Sequence, residues 1–273
     1  MLTKAQSAQS ACSAEPIAIT IVVPCYNEVT GLHHLRDRLM SAVATLESHY
    51  HVNCIVVDDG STDGTWKVMR DVFPIHPHWT LVRHPSNRGI GAAIFTGIRE
   101  ASTEIVCSID ADCSYDPREL AKLIPMLVPG VDLVTASPYH PAGTVVGVPS
   151  WRLFLSRTAS SLYRLVTRQK LHTYTSCFRV YRRSSILKVD LRRRDFLAIA
   201  ELIGKMDLNG AVVVECPSSL ATRLYGKSKM KTARTLVRHL CLLTELLTLR
   251  VWQVAFGGRA LSSDRSISTR AEA

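Results

Sequence analysis

The chain has 273 residues and 30.2 kDa, is 47% hydrophobic and 21% charged, and carries 14 Gly and 12 Pro, which excludes collagenous, low-complexity and largely disordered proteins. Its formal net charge of +10 is uneven: residues 1–149 hold 10 Lys+Arg against 15 Asp+Glu and residues 150–273 hold 23 against 8, so the halves carry −5 and +15. An acidic half suits a bound cation, and a basic half suits phosphates, nucleic acid or an anionic membrane surface.

Residues 1–16 lack the apolar stretch of a signal peptide and read as a flexible tail. IAITIVVP (17–24) is a short β-branched run of the kind that forms a buried strand, followed by a helix over 30–48. CIVVDD (54–59) predicts a second strand, DGTWKVMRDVF (63–73) a helix, WTLVRH (79–84) a strand and GIGAAIFTGIREA (89–101) a helix. EIVCSID (104–110), a helix over 117–127 and VDLVTAS (131–137) continue the alternation, which predicts an α/β fold with a mainly parallel sheet and helices on both faces. The second half is less regular, with a basic helical stretch at 150–169, a strand at 177–182, a helix over 195–208 and a strand at 211–216. No Gly/Ser/Pro-rich linker divides the chain, so residues 17–231 read as one domain.

In residues 232–256, Leu236, Leu240, Leu243, Leu247, Val251 and Val254 recur at helical spacing and predict an amphipathic helix, suited either to a membrane surface or to the chain's own core. Arg234, Arg238, Glu245 and Arg250 interrupt the run, so it should not span a bilayer. Residues 257–273 read as a second flexible tail. The eight cysteines form no CxxC pair and several lie in apolar runs, the pattern of buried free thiols in a reducing cytosol.

Ligands of open α/β sheets bind beyond the carboxyl ends of the strands, where loops converge. Three polar clusters fall at such ends: PCYNE (24–28), DDGSTDGT (58–65) and DADCSYDP (110–117). DDGSTDGT alone also fits a glycine turn followed by a helix cap, but that does not account for all three. In the DAD triplet, Asp110 and Asp112 stand two apart at a strand end and can aim both carboxylates at one hard cation such as Mg²⁺ or Mn²⁺.

PCYNE, VVDDGSTDGT, NRGIGAA and DAD, in this order, resemble the family 2 glycosyltransferases of GT-A fold. SRTAS (156–160), TSCFRVYRR (175–183), the helix carrying Glu201 and ECPSSLATRLYGKSK (215–229) are similar to the dolichyl-phosphate mannose synthase group, and the RxxGxSK element from Arg223 to Lys229 points to its polyprenyl-phosphate branch. The resemblance implies a nucleotide on Pro24, Tyr26, Glu28, Asp58 and Asp59, and Mg²⁺ or Mn²⁺ on Asp110 and Asp112, with Ala111 lending backbone. Asn87, Arg88 and Gly89 resemble the family's Asn-x-Gly segment. Residues 150–194 hold 12 Lys+Arg, which suits a phosphate-bearing acceptor, a solvated basic face or a nucleic-acid surface, though no RRM, KH or helix-turn-helix pattern is present; the resemblance implies the acceptor phosphate, with Arg152, Arg157, Arg223 and Lys229 at the positions that face it.

The sequence departs from the family at Ser114, where some members have Gln, at Ser137-Pro138-Tyr139, which lacks an expected arginine, and at Thr173–Arg179, which lacks an acid and a glycine. The implied reaction is inverting, metal-dependent transfer of a hexose, mannose first, from GDP-mannose or UDP-glucose to a polyprenyl phosphate at the cytoplasmic face of a membrane, with Asp110, Asp112, Arg157 and Arg223 carrying the chemistry. An acceptor phosphate, with a second pKa of about 6, needs no general base, whereas a hydroxyl acceptor would need one, for which Asp116, Asp195 and Glu201 are the candidates. The alternatives are a relative using another sugar or a soluble acceptor, and a non-catalytic protein that binds sugar nucleotides or nucleic acid.

Overall fold

The structure, a computed structural model, describes residues 16–73, 77–223 and 232–263. Its strands are β1 (Ile17–Cys25), β2 (Tyr50–Asp58), β3 (Trp79–Arg83), β4 (Ile105–Ser108), β5 (Leu133–Ser137), β6 (Thr144–Val146), β7 (Arg179–Arg182), β8 (Val213–Pro217) and β9 (Ser219–Ala221). The helices are α1 (Leu32–Leu46), α2 (Thr65–Val72), α3 (Ile90–Glu100), α4 (Leu120–Leu123), α5 (Ser150–Val166), α6 (Arg183–Ile186), α7 (Leu197–Leu208) and α8 (Thr232–Ser263). Seven strands form one sheet in the order β3-β2-β1-β4-β7-β5-β8. All its pairings are parallel except those of β7, which runs antiparallel to both β4 and β5.

Alternation along β1 supplies both layers, because successive side chains of a strand point to opposite faces. Ile19, Ile21, Val23 and Cys25 pack with Leu35 and Leu39 of α1, Met69 of α2 and Leu120 and Leu123 of α4. Val22 faces the other way, into a layer built from Ile94 and Ile98 of α3, Tyr163 of α5, Ile203 of α7 and Leu242 and Leu246 of α8. Two close approaches fix the second layer: a Cβ on Gly97 would lie 2.3 Å from Val22, and one on Gly204 would lie 2.5 Å from Leu246.

The structure differs from the expectation in several places. The helix expected over 117–127 is broken into a 3₁₀ turn (Pro117–Glu119), the single turn α4, and a second 3₁₀ turn (Ile124–Met126), because Pro125 has no N–H to continue an α-helical ladder. Strands β6 and β9, three residues each, form a separate parallel pair that period-2 patterning is too short to reveal. Helix α8 continues to Ser263, past residue 256 where the polar tail was expected to begin. Leu243 is the one buried member of the expected stripe of six; the helix docks through His239, Leu242, Leu243 and Leu246 and leaves Leu236, Leu240, Leu247, Val251 and Val254 outward. Among the described residues no helix is long and apolar enough to cross a membrane.

Candidate active site

The loops after β1 and β2 are laced into one unit. The Asn27 N–H donates to Ser61 Oγ (2.9 Å), the Glu28 N–H to Thr65 Oγ1 (2.9 Å) and the Thr62 N–H to Asn27 Oδ1 (2.8 Å), while Asp63 accepts from both Thr65 N–H and its hydroxyl. The two non-glycine residues of positive φ among those described, Asn27 (51°) and Cys113 (52°), lie in this unit and in the DAD loop, so local backbone strain is concentrated at the strand ends. Gly60, at φ +70°, brings the unit against the backbone of Ser86 and Asn87, where a Cβ would meet Ser86 C at 2.3 Å.

Of the nucleotide-site residues expected, Pro24 is buried near the end of β1, and Tyr26 and Glu28 follow half-buried in the laced loop. Asp58 is buried; its Oδ1 accepts the Ser61 N–H (3.1 Å), while Oδ2 lies 3.1 Å from Arg83 Nε without hydrogen-bond alignment. Such an oxygen suits a nucleobase N–H. Asp59 has another role. Its two oxygens accept from His84 Nδ1 (2.7 Å), Arg88 N–H (2.9 Å), Asn87 Nδ2 (3.1 Å) and Gly89 N–H (2.8 Å), so the carboxylate is occupied in fixing the Asn87–Gly89 turn at the head of α3.

Beyond β4, Asp110 and Asp112 line a cleft together with Ser114, Tyr115, Tyr139, Ser156, Thr173 and Phe196. Enclosure at the cleft floor, and then the neighbouring Asp112 charge, push the Asp110 carboxyl up to about 7, against the pull of the Cys177 thiol, Arg223 and Arg179. Two carboxylates brought to one cleft form an oxygen donor set in need of positive charge, the chemistry of a hard divalent cation. Ala111 lies between them, packed into the core. Among the described residues no three His, Cys, Asp or Glu side chains gather around one point.

The basic residues reach the same cleft unequally. Arg223 Nη2 lies 2.8 Å from Asp112 Oδ2. Arg157 is exposed and stands over the ring of the cleft-lining Tyr139, 5.5 Å from its centroid, beside the cleft without lining it. Arg152 lies instead over Trp151 at the first turn of α5 and is not part of the cleft lining. Lys229 lies outside the described residues.

The three candidate bases are placed elsewhere. Glu201 is fully buried, accepts from the Arg192 and Arg193 N–H groups and pairs with Lys205 Nζ at 2.8 Å. Asp195 accepts the Leu197 N–H ahead of α7 and pairs with Arg238 of α8, and Asp116 is held by Arg38 and Arg118. One residue that the motifs did not single out organises the acceptor side: Glu215 on β8 accepts from Ser137 Oγ (2.7 Å), His172 N–H (2.8 Å), Thr173 N–H (2.9 Å) and His172 Nδ1 (2.8 Å). It thereby pins the segment that contributes Thr173, Thr175 and Ser176 to the cleft. The signal was present as an acid inside the apolar run AVVVEC.

Comparison with known proteins agrees with this geometry. The chain is 33% identical over 217 residues to the polyprenol monophosphomannose synthase of Mycolicibacterium smegmatis, covering 77% of this chain and 80% of the relative. It is 28% identical to the dolichol-phosphate mannosyltransferase of Pyrococcus furiosus (78% of this chain, 59% of the relative) and 28% identical to the undecaprenyl-phosphate mannosyltransferase of Micrococcus luteus (78% and 87%). In fold it resembles glucosyl-3-phosphoglycerate synthase from Mycobacterium tuberculosis, solved with Mn²⁺, UDP and glucosyl-3-phosphoglycerate, at a TM-score of 0.65 and 17% identity over 85% of this chain and 80% of that one. Residues 20–189 match the family model described as glycosyl transferase family 2, and with the DAD cleft at the end of a mainly parallel sheet, the chain belongs to that family.

Proposed function

We propose that this glycosyltransferase moves mannose from GDP-mannose to a polyprenyl phosphate, inverting the anomeric centre, with residues 17–231 as the catalytic domain and the helix that follows as its contact with the membrane surface. The observation that carries the reading is the meeting of acidic and basic groups at one cleft: Asp110 and Asp112 in its lining, Arg223 against Asp112, and Arg157 over the ring of the lining residue Tyr139. A sugar nucleotide brings a diphosphate that needs a cation, and a phosphate acceptor brings a second anion that needs arginines. A bound Mg²⁺ or Mn²⁺ would neutralise the departing diphosphate. Asp110 and Asp112 would hold it, Asp58 would accept from the base, and the Asp59-fixed turn would set the backbone against the donor. Arg157, Arg223 and Lys229 would receive the acceptor phosphate, which is itself the nucleophile. The placement of Asp116, Asp195 and Glu201 in structural pairs supports a reaction without a carboxylate base.

Mannose follows from the relatives' names, all three of which are mannose transferases to polyprenyl-type phosphates. The test is incubation with Mn²⁺ or Mg²⁺, a short polyprenyl phosphate, and radiolabelled GDP-mannose or UDP-glucose in parallel. Label should enter the organic phase from GDP-mannose. Label from UDP-glucose alone would change the sugar, and none from any sugar nucleotide would remove the polyprenyl acceptor.

A further inference from the structure

One carboxylate of the DAD loop is paired with a cationic side chain from just past the end of β9. Arg223 Nη2 is 2.8 Å from Asp112 Oδ2, in a pair whose side chains are 31% and 11% exposed. The other oxygen, Oδ1, is held by the Ser114 N–H at 2.9 Å. The guanidinium thus sits on the carboxylate oxygen that the loop's own backbone leaves to other partners. A divalent cation bound between the two carboxylates would need the same oxygen, and at such separations it would repel the arginine through a poorly screened site.

The backbone near Arg223 is tied to the same loop. The Ala221 N–H donates to Ser114 O (2.9 Å) and the Thr222 N–H to Val146 O (3.1 Å), so β9 is fixed at the DAD loop immediately before the arginine. A guanidinium displaced from Asp112 therefore remains within side-chain reach of the cleft.

We propose that Arg223 is the resident counter-ion of Asp112, that the divalent cation displaces it, and that the displaced guanidinium is what the cleft presents to the acceptor phosphate. The second half rests on the polyprenyl-phosphate reading above; the first does not. Cation and acceptor phosphate then favour each other, because each removes Arg223 from the position the other requires, and this coupling is reciprocal.

The first measurement is Mn²⁺ binding to the full chain without nucleotide or acceptor, followed by electron paramagnetic resonance or calorimetry. Arg223→Ala should bind Mn²⁺ roughly tenfold more tightly than wild type, the scale of one lost charge-assisted pair. Arg157→Ala, which removes a charge beside the cleft that is not paired with Asp112, should stay within about twofold. Equal tightening in both would mean general charge repulsion and overturn the proposal, as would unchanged or weaker binding in Arg223→Ala. Arg223→Gln serves as the second variant if the alanine form melts early. The second measurement is calorimetric binding of a short polyprenyl phosphate with and without Mg²⁺. Mg²⁺ should tighten it several-fold in wild type and much less in Arg223→Ala; equal enhancement in both would overturn the coupling. Failure of the acceptor to bind wild type at all would count against the acceptor reading and the coupling while leaving the Mn²⁺ result to judge the counter-ion.

Discussion

Asp59 accepts four hydrogen bonds, from His84, Asn87, Arg88 and Gly89, at 2% exposure, and any action of it on the proposed donor would pass through the turn it holds. Its removal leaves two backbone N–H groups and an imidazole without their acceptor. Asp59→Ala should therefore cost about 2 to 4 kcal/mol in urea unfolding and raise the KM for the sugar nucleotide more than that for the acceptor. An intact melting curve with unchanged donor KM would refute the assignment. Asp112 is the opposite case, a carboxylate whose partners are one backbone N–H and one part-exposed arginine. Asp112→Ala opens no core cavity and should leave the unfolding midpoint near wild type while lowering transfer roughly a thousandfold or more, as removal of a leaving-group cation requires. Excess EDTA should do the same to the wild-type enzyme, and full turnover in EDTA would refute a metal requirement.

At the scale of the element, α8 carries two apolar faces, and the sequence pattern identified only one of them. Leu236, Leu240, Leu247, Val251 and Val254 keep helical spacing yet stay outward, whereas the docked face includes His239, whose Nδ1 lies 2.8 Å from the Tyr163 hydroxyl. A histidine does not register as apolar in a hydrophobic pattern, so of the docked face the stripe includes Leu243 alone. Burial, and to a lesser extent nearby Arg238, hold the His239 imidazolium down to about 4, against the pull of Asp195. The unfolded chain, with an ordinary histidine near 6.5, binds more protons than the folded one between pH 6.5 and 4. Stability should therefore fall as pH falls through that window, by about 2 to 3 kcal/mol from this group, and level off below it. His239→Asn, which can keep a partner for Tyr163 without titrating, should flatten that part of the stability profile; an unchanged slope would show that the acid sensitivity lies elsewhere.

For the whole molecule, the strands and helices up to residue 137, apart from the broken 117–127 segment, are legible because hydrophobic period and turn chemistry agree there, and the strand-end motifs point to the DAD cleft. What was not legible depends on long-range partners. The antiparallel insertion of β7 between β4 and β5, the use of Glu215 to pin the 172–176 segment, and the binding of Asp59 to residues 25 to 30 positions away are pairings that no local pattern encodes. Glu201 shows the same limit in reverse, since an acid in a helix reads alike whether it is a base or a buried anchor for Arg193 and Lys205.

Charge and exposed apolar surface also coincide at this scale, because the half that carries +15 includes α5 and α8. Trp151, Phe154 and Leu165 recur on α5 at 51%, 69% and 75% exposure, and Leu247, Val251 and Trp252 do so on α8. Large aromatic and aliphatic groups set among arginines suit an anionic lipid surface, to which each basic residue adds about 1 kcal/mol at most, an attraction that salt weakens. Deleting α8 would not test this cleanly, since Leu242, Leu243 and Leu246 belong to the core and their loss would expose the α7 face around Gly204. The informative variant changes only the outward face: Leu247→Ser, Val251→Ser and Trp252→Ser together. It should melt within a few degrees of wild type, float several-fold less with vesicles containing phosphatidylglycerol, and show a raised KM for polyprenyl phosphate embedded in those vesicles. Its KM for a short, water-soluble polyprenyl phosphate should not move, because the cleft residues are untouched. Undiminished flotation would exclude this face as the membrane contact, and an equal rise in both KM values would place its effect on the catalytic site instead.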